Sequence, residues 1–194
     1  MSYIGSKPAN KPVVASDLDP TVITGQTALA TSPADTDEFL ISDAGVLKRL
    51  DASLIGGTNT PSFLAYKTSA QSIANETAVQ VTFDTELYDS DGKFASNRFT
   101  PTVAGKYFIY AQLNMQATDG KYFETRIHKN GSIISYTQTH MGTVTYNAGS
   151  YIGEVIDSDD NDYFEIFTYH NSGASKNLAG DNRNSYFGAY KIIE

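Results

Sequence analysis

The 194-residue chain has no cysteine and no tryptophan. Without cysteine there is no disulfide framework, thiolate nucleophile or Cys-ligated zinc site. Positive charge is scarce: 14 Lys and Arg stand against 22 Asp and Glu, a formal net charge of −8. Such a surface repels phosphate backbones, so nucleic-acid binding is not expected. No apolar run reaches the roughly 18 residues of a membrane span, and the opening MSYIGSKPANKP lacks the apolar centre of a secretory signal. No membrane insertion is expected, and a protein of this kind acting outside a cell would leave by lysis, in a particle or by a route the sequence does not show. Catalytic signatures are missing too. There is no HExxH, P-loop or dinucleotide fingerprint, and the nearest approach to a nucleophile elbow, residues 149–153 (GSYIG), places its serine one position early. His128, His140 and His170 stand far apart in sequence, without partners at zinc-site spacing. No enzymatic role is expected.

What is abundant is aromatic and turn chemistry: 13 Tyr, 10 Phe and 15 Gly. That mixture suits many short strands joined by tight turns. The two ends of the chain differ. Pro8, Pro12, Pro20, Pro33 and Pro61 fall in the first 61 residues, whereas every tyrosine but Tyr3 lies from Tyr66 onward. Residues 1–32 show little periodicity and read as an extended arm that orders on a partner surface, or as a plain flexible leader. Residues 37–55 read as a hairpin, FLISDAGVLKRL, turned at Asp43-Ala44-Gly45. GGTNTP, residues 56–61, reads as a linker, which divides the chain into 1–60 and 61–194.

From Pro61 the pattern is all-β. Residues 65–72 predict a first strand, and Val79, Val81 and Phe83 alternate with polar residues as a half-buried one. Asp91-Gly92 predicts a turn, followed by a strand over 94–100. The longest strand is expected over 105–115. Tyr107, Ile109, Ala111, Leu113 and Met115 form one apolar face of it, while the other begins with Phe108 and Tyr110 and ends with Gln112 and Asn114. A strand apolar on both faces is covered on both faces. One set therefore packs in a sandwich core and the other needs a lid or another subunit. Asn130-Gly131 marks a type I′ hairpin between strands at 123–128 and 133–139. Strands at 151–156 and 163–169 are expected to pair across the acidic DSDDND, and 185–193 closes the chain. Four carboxylates in that acidic segment, Asp157, Asp159, Asp160 and Asp162, repel one another unless water or a hard cation screens them. A solvated turn is the expected reading, with weak calcium binding as the alternative; an EF-hand is excluded, because Asp162 occupies the glycine position and Thr168 the position of the bidentate glutamate.

Several of these strings are shared with a known family. Phe83, Asp91-Gly92, Phe94, and the spacing Phe99-x5-Gly105-x-Tyr107 are followed by RIHKNG at 126–131, DYFEI at 162–166 and SYFGAY at 185–190. Together they resemble the globular head of complement C-one-q, a branch of the tumour-necrosis-factor-like jelly rolls. Ile109 and Ala111 stand where that family prefers aromatics, and the 94–99 segment is shorter. The resemblance implies an antiparallel jelly-roll sandwich and a homotrimer with aromatics along its threefold axis. Tyr107, Phe108, Tyr110, Phe187 and Tyr190 are the residues expected in the core or between subunits. Upstream, MSYIGSKPANK, ITGQTAL and DEFLISDAGVLKRLDASLIGG resemble the leader and small β-module of tailed-bacteriophage fibres. That resemblance implies a virion protein made in the host cytoplasm, attached to other virion proteins through its arm and adhering to a host-surface glycan or protein. A capsid decoration protein and a secreted C-one-q-like lectin are the alternatives. The loop residues expected to meet a ligand are Asp119, Lys121, Tyr146, Asn147, Asn171, Asp181 and Arg183, in polar segments at 118–121, 141–150 and 171–184.

Overall fold

A computed structural model of the chain describes residues 24, 25, 27, 29, 33, 34, 36–55, 59–142, 146–180 and 184–192. The expected arm therefore lies outside the described residues except for Thr24, Gly25, Thr27 and Leu29, as do Gly56–Thr58 of the linker, Asp181 and Arg183. The chain divides into two compact units, Met1–Gly56 and Gly57–Glu194.

In the first unit β1 (Glu38–Asp43) pairs antiparallel with β2 (Val46–Asp51), which a short 3-10 turn at Ala52–Leu54 follows. Ala44 and Gly45 turn the chain with φ of 51° and 83°. Arg49 pairs with Glu38 at 2.7 Å, and Lys48 pairs with Asp43. Phe39, Leu40 and Val46 remain exposed. A two-stranded sheet that leaves its apolar side chains in water is marginally stable by itself.

The second unit is an antiparallel sandwich. Its strands are β3 (Ser62–Tyr66), β4 (Gln71–Ile73), β5 (Val79–Gln80), β6 (Thr85–Asp89), β7 (Phe94–Ala95), β8 (Arg98–Phe99), β9 (Gly105–Gln116), β10 (Lys121–Lys129), β11 (Ser132–Met141), β12 (Asn147–Ser158), β13 (Phe164–His170), β14 (Lys176–Leu178) and β15 (Tyr186–Lys191). The front sheet runs β12-β9-β15-β3-β6, with β14 meeting the far end of β9 and β4 beside it. The back sheet runs β11-β10-β13-β8-β7, with β5 also on β13. Between them lies a core in which Phe63 stacks on Phe94 and Phe99 at 4.5 and 4.7 Å and meets Phe187 edge-on at 4.8 Å. Tyr107 is fully buried there, and its hydroxyl donates to Val103 O at 2.8 Å. This is the jelly-roll class expected from the residue pattern.

Three local expectations are corrected. The strand predicted over 94–100 is a tiny hairpin, because Ser96 and Asn97 adopt φ of 53° and 62° and fold β8 back onto β7. The strand predicted over 65–72 is interrupted, since Asp84 accepts bonds from the Thr68 and Ser69 amides at 2.7 and 3.1 Å and turns the chain between β3 and β4. Most consequentially, β12 and β13 do not pair. β12 lies on β9 in the front sheet and β13 on β10 in the back sheet, so DSDDND crosses the edge of the sandwich between sheets. In the polar 171–184 segment the sequence pattern also misses β14, whose three residues carry one apolar side chain, Leu178.

Candidate functional site

The alternation of β9 settles which aromatics face where. Tyr107, Ile109, Ala111, Leu113 and Met115 are fully buried in the core, and Phe187 of β15 joins them. Phe108 and Tyr110 therefore point away from the core, since successive strand residues face opposite sides. Side chains directly opposite across a ladder emerge on the same face. Register then places Tyr190 and Val155 beside Phe108, Gly188 and Gly153 beside Tyr110, and Tyr186 and Tyr151 beside Gln112. Leu64 follows Gly188 on β3, and Tyr88 follows Leu64 on β6. One outer sheet face thus gathers rings from five strands.

The two glycines make this packing feasible. A Cβ on Gly188 would sit 2.5 Å from the Tyr110 ring, and one on Gly153 would sit 2.8 Å from Phe108 Cζ. Real side chains do not approach so closely, so these positions let the rings lie flat across the strands. Phe108 stacks on Tyr110 at 5.6 Å, and Tyr190 lies 5.6 Å from Phe108. Leu64, Tyr66, Tyr110 and Tyr186 line a concavity of about 310 Å³. Burial pushes the Tyr110 phenol up to about 12, with further contributions from Tyr88, Tyr186 and Tyr151 around it. That keeps Tyr110 neutral at ordinary pH, so covering its ring strips no charge of water. Yet Tyr88 and Tyr151 are 44% and 52% exposed. A contiguous apolar patch of this kind marks a contact surface, and tyrosine is enriched in such surfaces.

A second cluster lies at one end of the sandwich, where strand ends bring loops together. Gly120 N donates to Met141 O at 3.0 Å, Asn147 pairs with Gln116, and the Tyr122 amide donates to Asn171 Oδ1 at 2.9 Å. The 117–120 turn, the start of β12 and the segment after β13 are therefore neighbours. Tyr146 is 83% exposed and Asp119 sits at the turn tip. Asn171 is a structural clamp: it both accepts from and donates to the Tyr122 backbone. Lys121 and Asn147 open strands, with their backbones in ladders.

At the opposite end the acidic crossover is built around one carboxylate. Asp162 is buried; it pairs with Lys129 Nζ at 2.7 Å and accepts from Asn130 Nδ2 at 2.6 Å and the Asp159 amide at 2.7 Å. Burial alone would raise its pKa, but the Lys129, Asp159 and Asn130 bonds outweigh that and hold it below the usual carboxylate value. Asp157, Asp159 and Asp160 point into solvent. Among the described residues no group of three or more histidines or carboxylates could hold a metal ion. The calcium alternative thus finds its buried member already paired to a lysine.

Residue spacing alone did not single out Gly153, Tyr151, Leu64, Tyr88 or Tyr186, because their membership of the aromatic face depends on register between strands distant in sequence. Lys67 was missed as well. It is buried, with Nζ donating to Thr82 O at 2.6 Å, and burial holds its pKa below the ordinary lysine value against the opposing pull of Asp84.

No family model and no curated protein matches the chain. Solved structures do. The globular domain of zebrafish complement 1qA protein aligns with a TM-score of 0.54 at 14% identity, covering 69% of this chain and 98% of that one. Murine APRIL at pH 5.0 aligns with a TM-score of 0.54 at 11% identity, covering 68% and 98%. Murine APRIL at pH 8.5 gives 0.52 at 10% identity with the same coverage. At such identities the likeness is one of fold, and it supports the C-one-q and tumour-necrosis-factor-like jelly roll expected from residues 61–194.

Proposed function

We propose that the chain is a homotrimeric structural protein of a tailed-bacteriophage virion, a fibre or receptor-binding protein that adheres to the host surface. In this reading the jelly rolls associate through the front-sheet face around Phe108, Tyr110 and Tyr190. The segment before Gly57 attaches the trimer to other virion proteins. The end loops around Asp119 and Tyr146 project outward. The role needs no catalytic step.

The observation that carries the trimer is the aromatic face: five strands contribute apolar side chains to a surface that one sandwich cannot cover. Support for the virion assignment comes from the N-terminal strings that resemble phage fibre leaders. Three identical weak sites on one trimer would act together, since tethering makes the later binding events intramolecular.

Sedimentation equilibrium tests the first part. The 21.1 kDa chain should run at three times its own mass, and Tyr110→Lys should run as monomer with its β-sheet circular dichroism retained. A stable wild-type monomer at micromolar concentration overturns the trimer. Immunogold labelling of particles tests the second. Label at the tail tip supports the fibre role, label over the head assigns the chain to capsid decoration, and no label on particles overturns the virion reading.

A further inference from the structure

The outer face of the back sheet has a different chemistry from that of the front. On β10 and β13, Phe123, Thr125 and Ile127 face inward with His170, Thr168 and Ile166. The alternate residues face outward in three cross-strand pairs: Glu124 with Tyr169, Arg126 with Phe167, and His128 with Glu165. Neighbouring strands add Tyr136, Gln138 and His140 opposite Arg126, Glu124 and Tyr122, and Arg98 opposite Glu165.

This face is pre-arranged. The Arg126 guanidinium lies 4.9 Å over the Tyr169 ring and bonds Glu124 Oε2 through Nε at 2.7 Å and through a second nitrogen at 2.6 Å. Arg98 Nε and Gln80 Nε2 both reach Glu165 Oε1, each at 3.1 Å. Both carboxylates are almost fully buried although they stand on a solvent-side face. All of these bonds converge on one oxygen of each carboxylate. The other oxygen of each has no partner among the described residues and is free to accept from outside. The rings are ordered too: His128 stacks on Phe167 at 4.1 Å, Tyr122 lies 6.2 Å from Tyr169, and Tyr122 lies 5.9 Å from His140. From Tyr122 to His128 the row extends about 20 Å, at about 3.4 Å per strand residue.

We infer that this face is a binding platform for an uncharged oligosaccharide, with Tyr122, Tyr169 and Phe167 meeting the apolar C–H faces of sugar rings and Glu124 and Glu165 accepting from their hydroxyls. The ligand is neutral because each carboxylate is matched by its own arginine, so the face offers no net charge to a phosphate or an acidic polymer. The ligand is a polymer segment because the row is longer than one sugar. Locked side chains lose little rotamer freedom on binding, which favours this geometry over mobile loops. The two arginines pin acceptors and are positioning residues. This deepens the adhesion reading above and rests on it for its biological meaning, but the face exists in a single copy of the chain.

The test uses the full chain against maltohexaose, cellohexaose, mannohexaose and N-acetylchitohexaose at millimolar concentration, read by saturation-transfer NMR from aromatic protons and by calorimetry. We expect one or more of these sugars to receive saturation on its ring protons. Glu124→Gln and Tyr122→Ala should each weaken that binding about tenfold, the loss of a charge-assisted hydrogen bond or of one ring contact. Glu86→Gln, an exposed position on β6 of the front sheet, should leave it unchanged. If Tyr122→Ala does not fold, Glu124→Gln, which keeps the shape of its site, decides alone. Saturation of none of the four sugars overturns the platform. So does binding lost in Asp119→Asn or Tyr146→Ala but kept in Glu124→Gln. A protein partner on this face would likewise show as sugars without effect. Failure of the platform is separable from failure of adhesion itself, which would show as wild-type protein that does not bind host cells at all.

Discussion

Replacing Asp162 tests the crossover between the two sheets most directly. The Asp162→Ala change removes the partner of Lys129, the acceptor of the Asn130 amide and the acceptor of the Asp159 N–H, all within 2.7 Å. Breaking a buried ion pair by deleting one member costs about 3–5 kcal/mol. Here Lys129 is 26% exposed and regains some water, so the lower end, about 3 kcal/mol, is the expectation. For a unit of this size that lowers Tm by roughly 10 °C. Asp162→Asn keeps the shape and loses only the charge, and should cost about half as much. The sign of the pH dependence follows from the lowered carboxyl pKa. Its contribution is fully present above the unfolded value of 3.8 and is lost as pH falls through the lower folded value. The Tm gap between wild type and Asp162→Asn should therefore be constant near neutrality and narrow below that pH. Adding calcium should leave wild-type Tm unmoved, since the buried carboxylate is already matched by Lys129. Unfolding of Asp162→Ala within a degree or two of wild type, or a gap that does not narrow in acid, would show that this carboxylate does not anchor the crossover.

Two further outcomes follow from the front sheet. Gly188→Ala puts a methyl 2.5 Å from the Tyr110 ring, which forces that ring off the face; self-association measured by sedimentation should weaken about tenfold or more, and unchanged association would show that the ring plays no part in it. At alkaline pH the folded state keeps protons on Tyr107 and Tyr110, both pushed up to about 12 mainly by burial, while the unfolded chain releases them near 10.0. Stability is then complete below pH 10 and declines as pH rises towards 12, so chemical denaturation midpoints should fall across that window, and Tyr110→Phe should flatten part of the slope.

The residue pattern carried much of this architecture, and the places where it stopped are instructive. β9 was legible because an apolar residue recurs at every second position from Tyr107 to Met115, and Asn130-Gly131 because only a few residue types accept positive φ at both turn positions; their φ values are 53° and 78°. The same local signals misled at 94–100, where Ser96-Asn97 turns the chain without glycine. Pairing was harder. The 151–156 and 163–169 strands look like a hairpin in sequence, yet a five-residue crossover, 159–163, anchored by the Lys129–Asp162 pair sends them to different sheets. Alternation showed that β9 is apolar on two faces but not which face looks outward. That choice depends on partners as distant as Phe63 and Phe187, whose rings fill the core. The back-sheet network stayed invisible for the same reason, since Arg98 and Glu165 are 67 residues apart in sequence.

The two outer faces differ in the cost of removing water from them. On the front face the described side chains around Tyr110 are rings and aliphatics with Gln112 beside them, and Gly153 and Gly188 keep the rings flat. Covering the ring cluster removes apolar area from water at a gain of roughly 25 cal/mol per Å². On the back face Glu124, Arg126, Glu165 and Arg98 are already paired within the chain. A dry protein contact there would strip their remaining water without supplying new partners, a loss that Coulomb attraction seldom recovers. A sugar is different: its hydroxyls replace water one for one on the open carboxylate oxygens while its C–H face covers a ring. The apolar front face thus suits a lasting contact between copies, and the back face, whose charges are paired, suits a wet, exchangeable ligand. Both can be occupied at once, because the core of the sandwich separates them.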